Sequence, residues 1–366
     1  MKYLNSVYSL VIVVFGCLIL GSCQEHASGK YLKSETFDNS KQPPVVNFLN
    51  KEEAKFAILD ESFEPYYSIL ELREIEVLVG EKSPTNRLHE ARNFTRSKFS
   101  KGMQDFTYDE KTCITYVINV INSILNENGY KVFTNQPWNL IKSENWLCGG
   151  SAYTRGEYII LSQRYLDKYI NDWGPSIAKD DLNKLVIGLG GLLVHEKIHS
   201  IQRNHPEIFE VLYCSEWGFK KVDVVSKSEV RLNQLTNPDA PKSEWAFLFE
   251  DNFYWIKTVI NPKVEQPTMG KDFMEIAFCI EQNYDKWNIK QDSLGRLIKF
   301  DLRNFESYIK SYPVERGLDH PNEISAYMFS QYFVSLYQEH EPFENCSSES
   351  LVNSNKFVNW MKKYLI

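Results

Sequence analysis

The run His195-Glu196-Lys197-Ile198-His199 sets two imidazoles four residues apart, with a carboxylate directly after the first. On a helix, residues four apart share a face, so His195 and His199 can each offer a ring nitrogen to one metal ion. Glu196 lies about 100° round the axis from His195, beside the metal position, where its carboxylate can act on a bound water. These residue types at this spacing are the chemistry of a zinc hydrolase. Two imidazoles do not hold a catalytic zinc by themselves; a third protein ligand and one open position are also needed.

The pair has to stand on a helix. From Asp181 to Gly191 the chain carries apolar residues at helical spacing, so the motif belongs to a helix buried along one side. Gly188, Gly190 and Gly191 weaken that helix unless another backbone passes close by. His205-Pro206 ends it. The plainer alternative is a pair of partly buried core histidines on an amphipathic helix. Glu196 in the slot that the chemistry requires favours the metal.

Two residues compete to be the third ligand. His205 gives His195-Glu-x-x-His199-x-x-Gln202-x-x-His205, the histidine spacing of metzincins, a family that has glycine where this chain has Gln202. That glycine permits a sharp turn, which Gln202 makes only at a conformational cost. The other is Glu323, in Asp319-His320-Pro321-Asn322-Glu323-Ile324-Ser325-Ala326-Tyr327. Pro321 stands where helices begin, so Glu323 falls in a first turn, where the helix dipole favours the ionised, metal-binding carboxylate. Glu323 could instead be a capping residue that reaches back to the helix start.

With His195-Glu196-x-x-His199 followed by Asn322-Glu323-x-x-Ala326 on a later helix, the chain resembles the gluzincin branch of zincin metallopeptidases. The resemblance covers these two motifs and the order of elements. It implies one Zn2+ per chain on His195, His199 and Glu323, which polarises a scissile carbonyl and acidifies a water, with Glu196 passing the proton to the leaving amine. The substrate it implies is a peptide or protein. His320, Tyr327 and Tyr153 are candidate transition-state stabilisers. The segment Gly149 to Thr154 is a candidate edge strand for extended substrate, although its glycines could equally be turn residues. Thermolysin-like enzymes carry an aspartate four residues after the ligand Glu. Tyr327 stands there in this chain, so the groups that orient the histidines must differ.

The N-terminus bears on location. Met1-Lys2 and the apolar run Val7 to Leu20 have the pattern of a secretory signal peptide (1–22) and are too short to span a bilayer. Leu20-Gly21-Ser22-Cys23 resembles a bacterial lipobox, which makes Cys23 the lipidated mature N-terminus and 23–46 a polar tether. The expected location is the bacterial cell envelope, lipid-anchored and extracytoplasmic, with the membrane as a partner through the lipid. A net charge of −7 without a basic run gives no support for nucleic-acid binding. Cys113, Cys148, Cys214, Cys279 and Cys346 are odd in number and widely spaced, so they read as buried thiols or at most two bridges.

Residues 47–366 are expected to form one zincin-like domain of α+β class, mostly helical, with a small sheet before the active-site helix. Helices are expected over Glu61 to Val79, Asn86 to Phe106 and Thr112 to Asn128, the last ended by Gly129. The texture turns β-like over 130–162: Tyr130 to Thr134, Trp138 to Lys142, and a hairpin of Gly149–Thr154 with Glu157–Ser162. Past the motif, Glu207 to Lys220 continues as helix, Asn237-Pro238-Asp239-Ala240-Pro241 is a break, Ile289 to Phe300 is a second hairpin, and Lys356 to Leu365 is amphipathic. Ala246 to Ile260 and Phe273 to Asp285 show only a mixed pattern. Two further functions fit the same residues: a non-catalytic surface lipoprotein that binds protein or glycan, and a zinc amidase acting on cell-wall material.

Overall fold

The first half of the chain alternates short strands with helices, and the second half adds long antiparallel strands before returning to helix. The structure, a computed structural model, describes residues 44–366 apart from Asp172 and Asn345. The expected signal peptide, Cys23 and nearly all of the tether lie outside the described residues. The first part comprises β1 (Val46–Phe48), α1 (Lys51–Ala57), α2 (Leu72–Val79), α3 (Leu88–Lys101), β2 (Met103–Gln104), α4 (Tyr108–Glu127), α5 (Lys131–Thr134), β3 (Trp138–Ser143), β4 (Tyr153–Arg155), β5 (Tyr158–Ser162), α6 (Gln163–Ile170) and α7 (Lys179–Leu185). Then come α8 (Gly191–Asn204), α9 (Pro206–Glu210), β6 (Lys220–Lys221), β7 (Val224–Val225), α10 (Ser228–Arg231), β8 (Trp245–Phe249), β9 (Asn252–Ile260), β10 (Phe273–Asn283), β11 (Lys286–Ile289), β12 (Lys299–Asp301), α11 (Glu306–Lys310), α12 (Pro321–Tyr337) and α13 (Ser348–Tyr364). The fold class is α+β, and among the described residues no helix is long and apolar enough to cross a membrane.

The expected small sheet precedes α8, ordered β1-β3-β5-β4 with β2 beside β3. β3 runs parallel to β1 and β5, while β4 closes a hairpin on β5 and forms the sheet edge. A larger antiparallel-dominated sheet, β6-β8-β9-β10-β11-β7 with β12 beside β10, follows α8 and was not expected. Its strands hid because Tyr254, Trp255 and Ile256 are buried in succession, which removes the alternation that marks a half-buried strand.

α8 runs on from α7 through a π-helical turn, Val186–Gly190. Leu193, Val194, Ile198 and Ile201 of α8 are fully buried in the core shared with α4 and α12. Burying a Leu, Val or Ile contributes about 1.5–3 kcal/mol, against about 1 kcal/mol lost for each helical glycine, so packing outweighs the glycines. The glycines have a use. A Cβ on Gly190 would meet the Phe333 ring at 3.1 Å and one on Gly191 would meet Ser330 Oγ at 3.1 Å, so they let α12 approach closely. Ser330 Oγ donates to Gly191 O at 2.7 Å across that contact.

Several boundaries differ from expectation. Only Leu72–Val79 of the span 61–79 is helical, because Pro65 lacks an amide proton and the Glu61 carboxylate accepts from the Tyr66 and Ser68 amides. α3 stops at Lys101 before Gly102, and β2 takes up 103–104. Lys131–Thr134 is helix, not strand: Gly129 at φ +85° turns the chain, and Phe133 stacks on Phe329. Gly149 and Gly150 lie in a tight turn with positive φ and are not strand. The helix after α8 ends with the π-helical turn Val211–Glu216, and Lys220 belongs to β6. α4 begins at Tyr108, before the expected Thr112, and stops short of Gly129; β3 and the β4–β5 hairpin lie where the pattern put them, whereas the expected second hairpin is a turn about Asp292 closed by a Gln291–Leu297 bridge, because β11 and β12 both pair with β10. The terminal amphipathic piece is the second half of α13.

Candidate metal centre

The long α8–α12 contact is what brings the two motifs together. His195 and His199 stand one turn apart on α8, and their Nε2 atoms are 3.1 Å from each other. Glu323 lies in the first turn of α12, after Pro321 and with His320 as the N-cap. Its Oε2 is 3.4 Å from His195 Nε2 and its Oε1 is 3.5 Å from His199 Nε2. Zn–N and Zn–O bonds of about 2.0–2.1 Å in a tetrahedron put neighbouring donors about 3.3 Å apart, so this triangle matches three corners of such a site. All three residues are buried, which makes unpaired donors of this kind costly without a shared ion or proton.

Gln202 sets the tautomer. Three residues after His199 and on the same face, its Oε1 is 2.9 Å from His199 Nδ1, so Nδ1 carries the proton and Nε2 keeps its lone pair. The Gln202 amide nitrogen points to Asn322 O and Ser325 Oγ, both at 2.9 Å, and to the Tyr213 hydroxyl. One side chain thus orients a histidine on α8 and clamps the first turn of α12. Asn237 donates from Nδ2 to Glu323 Oε1 at 2.7 Å. The ring of Tyr327 packs 4.3 Å from that of His195, whose Nδ1 has no hydrogen-bond partner among the described residues.

Electrostatics separate the groups. Burial, with smaller effects from its neighbours, drives His199 down to about 3, so its ring is neutral near pH 7. Burial raises Glu323, but the His199 and His195 rings and the Asn237 amide outweigh it and hold the carboxylate well below the usual range. Glu196 goes the other way. Burial and then the Asp239 charge push it well above the usual range, against the opposing hydrogen bond from Thr154. Thr154 Oγ1 lies 2.9 Å from both Glu196 Oε2 and Glu196 O, which fixes the carboxylate against the base of α8. Glu196, His199 and Asp239 have ligand atoms within 4.8 Å of one another.

The Asn237-Pro238-Asp239 break crosses the edge of β4. The Thr154 amide donates to Asp239 Oδ1, and the Thr154 carbonyl accepts from Arg203 Nη2, which also donates to Pro238 O and Asp239 O. Arg203 Nε donates to Glu64 Oε1 at 2.7 Å, and Arg155 reaches the same oxygen. The expected docking edge therefore has its outward groups at Thr154 engaged within the chain.

His195, Glu196, His199 and Glu323 come together; the other candidates divide. His205 is at the end of α8 with its side chain 36 % exposed, facing Glu207 at 3.9 Å and apart from the cluster, because no sharp turn follows Gln202. His320 is committed to structure: its Nδ1 accepts from the Asn322 amide and its Nε2 faces Lys242 O. The Tyr153 hydroxyl lies beside the Cys148 thiol in the N-terminal core, away from the metal ligands. Of the candidate stabilisers, Tyr327 is at the site. Tyr165 of α6 shares its surroundings, raised to about 12 by burial and then by the Glu196 charge. The five cysteines are free thiols, with Cys113, Cys148 and Cys279 buried. Sequence reading passed over Asn237, Asp239, Arg203 and Tyr165, for which no local signal exists. Gln202 was legible in its helical spacing from His199.

No family model matches the chain, and neither curated proteins nor solved structures yield a match.

Proposed function

We propose that the protein is a zinc-dependent metallopeptidase held outside the cytoplasm by a lipid on Cys23. The observation that carries this reading is the buried triangle of His195 Nε2, His199 Nε2 and Glu323, with donor spacings of 3.1–3.5 Å and a carboxylate, Glu196, next to it. When bound, zinc supplies Lewis acidity toward a carbonyl and acidifies water. The chain supplies the rest. Glu196, oriented by Thr154, is a carboxylate that can hold a proton in one step and release it in the next. Gln202 and Asn237 keep the ligands in place, and the Tyr327 ring packs against that of His195, which makes its phenol the stabiliser to test.

One observation favours the non-catalytic lipoprotein reading: Asp239 and Arg203 hold the β4 edge at Thr154, so extended substrate must displace them to pair there. The test is hydrolysis of a peptide library, with cell-wall amides alongside, by the full-length chain in detergent after zinc loading. We expect peptide cleavage that Glu196→Gln reduces by about 100-fold or more while zinc is retained. Cleavage of the cell-wall amides alone would assign the amidase instead. Full zinc occupancy with no hydrolysis of any substrate would sink the enzyme reading and leave the binding protein.

A further inference from the structure

Beside the metal cluster, behind the Asn237–Asp239 crossing, lies a cavity of about 220 Å³. At about 30 Å³ per water in the liquid, that is room for several waters or one long side chain. Its walls divide by chemistry. Leu78, Leu235 and Met269 line it with apolar surface, and the carboxyl-bearing residues Asp239 and Asp319 line it as well. Tyr153 also lines it, with a buried hydroxyl that has no nitrogen or oxygen partner among the described residues and lies near the Cys148 thiol, Tyr67 and Tyr66. A buried hydroxyl left in this state costs stability unless a ligand completes it.

The charges here do not balance. Asp319 faces Glu323, Glu275 and the buried ammonium of Lys257, which also faces Glu74. Asp301, also near Glu275, is neutralised by its own pair with Arg303. On the wall itself stand the carboxyl groups of Asp239 and Asp319, and none of the lining residues is a lysine or an arginine.

The cavity also has the right neighbours. Ala152 and Tyr153 on its wall lead directly into Thr154, which holds Glu196, and Asn237 on its wall donates to Glu323. We propose that this cavity receives the basic side chain, lysine or arginine, of the substrate residue next to the bond that is cut. The methylene stem lies on Leu78, Leu235 and Met269, and the cationic end meets Asp319 and Asp239. The assignment rests on the peptidase reading above.

The experiment has two arms on the full-length chain in detergent. In the first, n-butylguanidine and uncharged n-butanol are titrated calorimetrically. Butylguanidine is expected to bind at least about tenfold more tightly, the size of one charge-assisted contact, and Asp319→Asn is expected to remove that advantage. Met269→Arg, on a half-exposed turn, places a competing guanidinium at the cavity and is expected to abolish binding even if Asp319→Asn fails to fold. In the second arm, zinc-loaded protein is given matched peptides with lysine, arginine, norleucine or glutamate beside the scissile bond, and the basic residues are expected to be preferred by about tenfold or more. Equal binding of butylguanidine and butanol, or butylguanidine binding that survives Met269→Arg, overturns the assignment. So does hydrolysis without basic preference, which leaves the peptidase reading intact. Aspartate-dependent butylguanidine binding with no peptide cut overturns the peptidase reading and, with it, the substrate role of the cavity.

Discussion

Replacing Gln202 by leucine tests whether the metal site is held from outside its ligands. The swap preserves size and removes the Oε1 acceptor 2.9 Å from His199 Nδ1 together with the donors to Asn322 O and Ser325 Oγ. Two consequences follow. His199 is no longer restricted to the tautomer whose Nε2 lone pair faces Glu323 and His195, and the first turn of α12, which carries Glu323, loses its clamp to α8. Loss of a partner that orients a ligating histidine costs about 10–100-fold in metal affinity, or about 1.4–2.7 kcal/mol. Because both ends of the site loosen here, the expected loss is near the upper value, about 100-fold. Stability should also fall by about 1–3 kcal/mol, the cost of a buried donor left unpaired. Gln202→Glu separates the two roles, since it keeps an acceptor for His199 and removes the donors to α12. Zinc affinity is measured by competition with a chromophoric chelator at neutral pH, with circular dichroism checking the fold. A folded Gln202→Leu protein with zinc affinity within about twofold of wild type would refute the reasoning.

Two further perturbations test the framework around the site. Burial lowers His320 from 6.5 to about 4. The unfolded chain therefore binds more protons than the folded one between these values, and stability falls as pH drops from 6.5 toward 4. His320→Asn keeps an N-cap acceptor for the Asn322 amide and should flatten that acid limb in urea titrations, whereas an unchanged slope would contradict the prediction. Lys142 and Glu110 form a buried pair, 5 % and 6 % exposed, in which Lys142 Nζ is 2.9 Å from each Glu110 oxygen. Lys142→Met leaves that carboxylate unpaired and should destabilise the fold by about 3–5 kcal/mol in urea unfolding, most of it restored by adding Glu110→Gln; a loss under about 1 kcal/mol would contradict the account.

What was legible in the sequence was what local spacing encodes. The i, i+4 histidines, the apolar face of α8, Pro321 opening α12 and Glu323 in its first turn each depend on a few neighbouring residues, and the structure has them as read. The β8–β10 sheet escaped because buried residues run consecutively along β9, where a strand wet on one side would alternate. Tyr130 to Thr134 looked like strand from its aromatic and β-branched residues, yet Phe133 gains more by stacking on Phe329 from a helical turn. Asn237 and Asp239 read as turn residues and nothing more. Their role comes from contacts with Glu323 and Thr154, more than eighty residues away in sequence, which no local pattern encodes.

The central claim is that His195, His199 and Glu323 hold one metal ion. Its most direct test is zinc per chain, by elemental analysis of full-length protein in detergent, for wild type, Glu323→Gln, His195→Ala and His205→Ala. The account predicts about one zinc in wild type and in His205→Ala, and a marked loss in Glu323→Gln and His195→Ala. Loss in His205→Ala with retention in Glu323→Gln, or no zinc in folded wild-type protein after reconstitution, would contradict it.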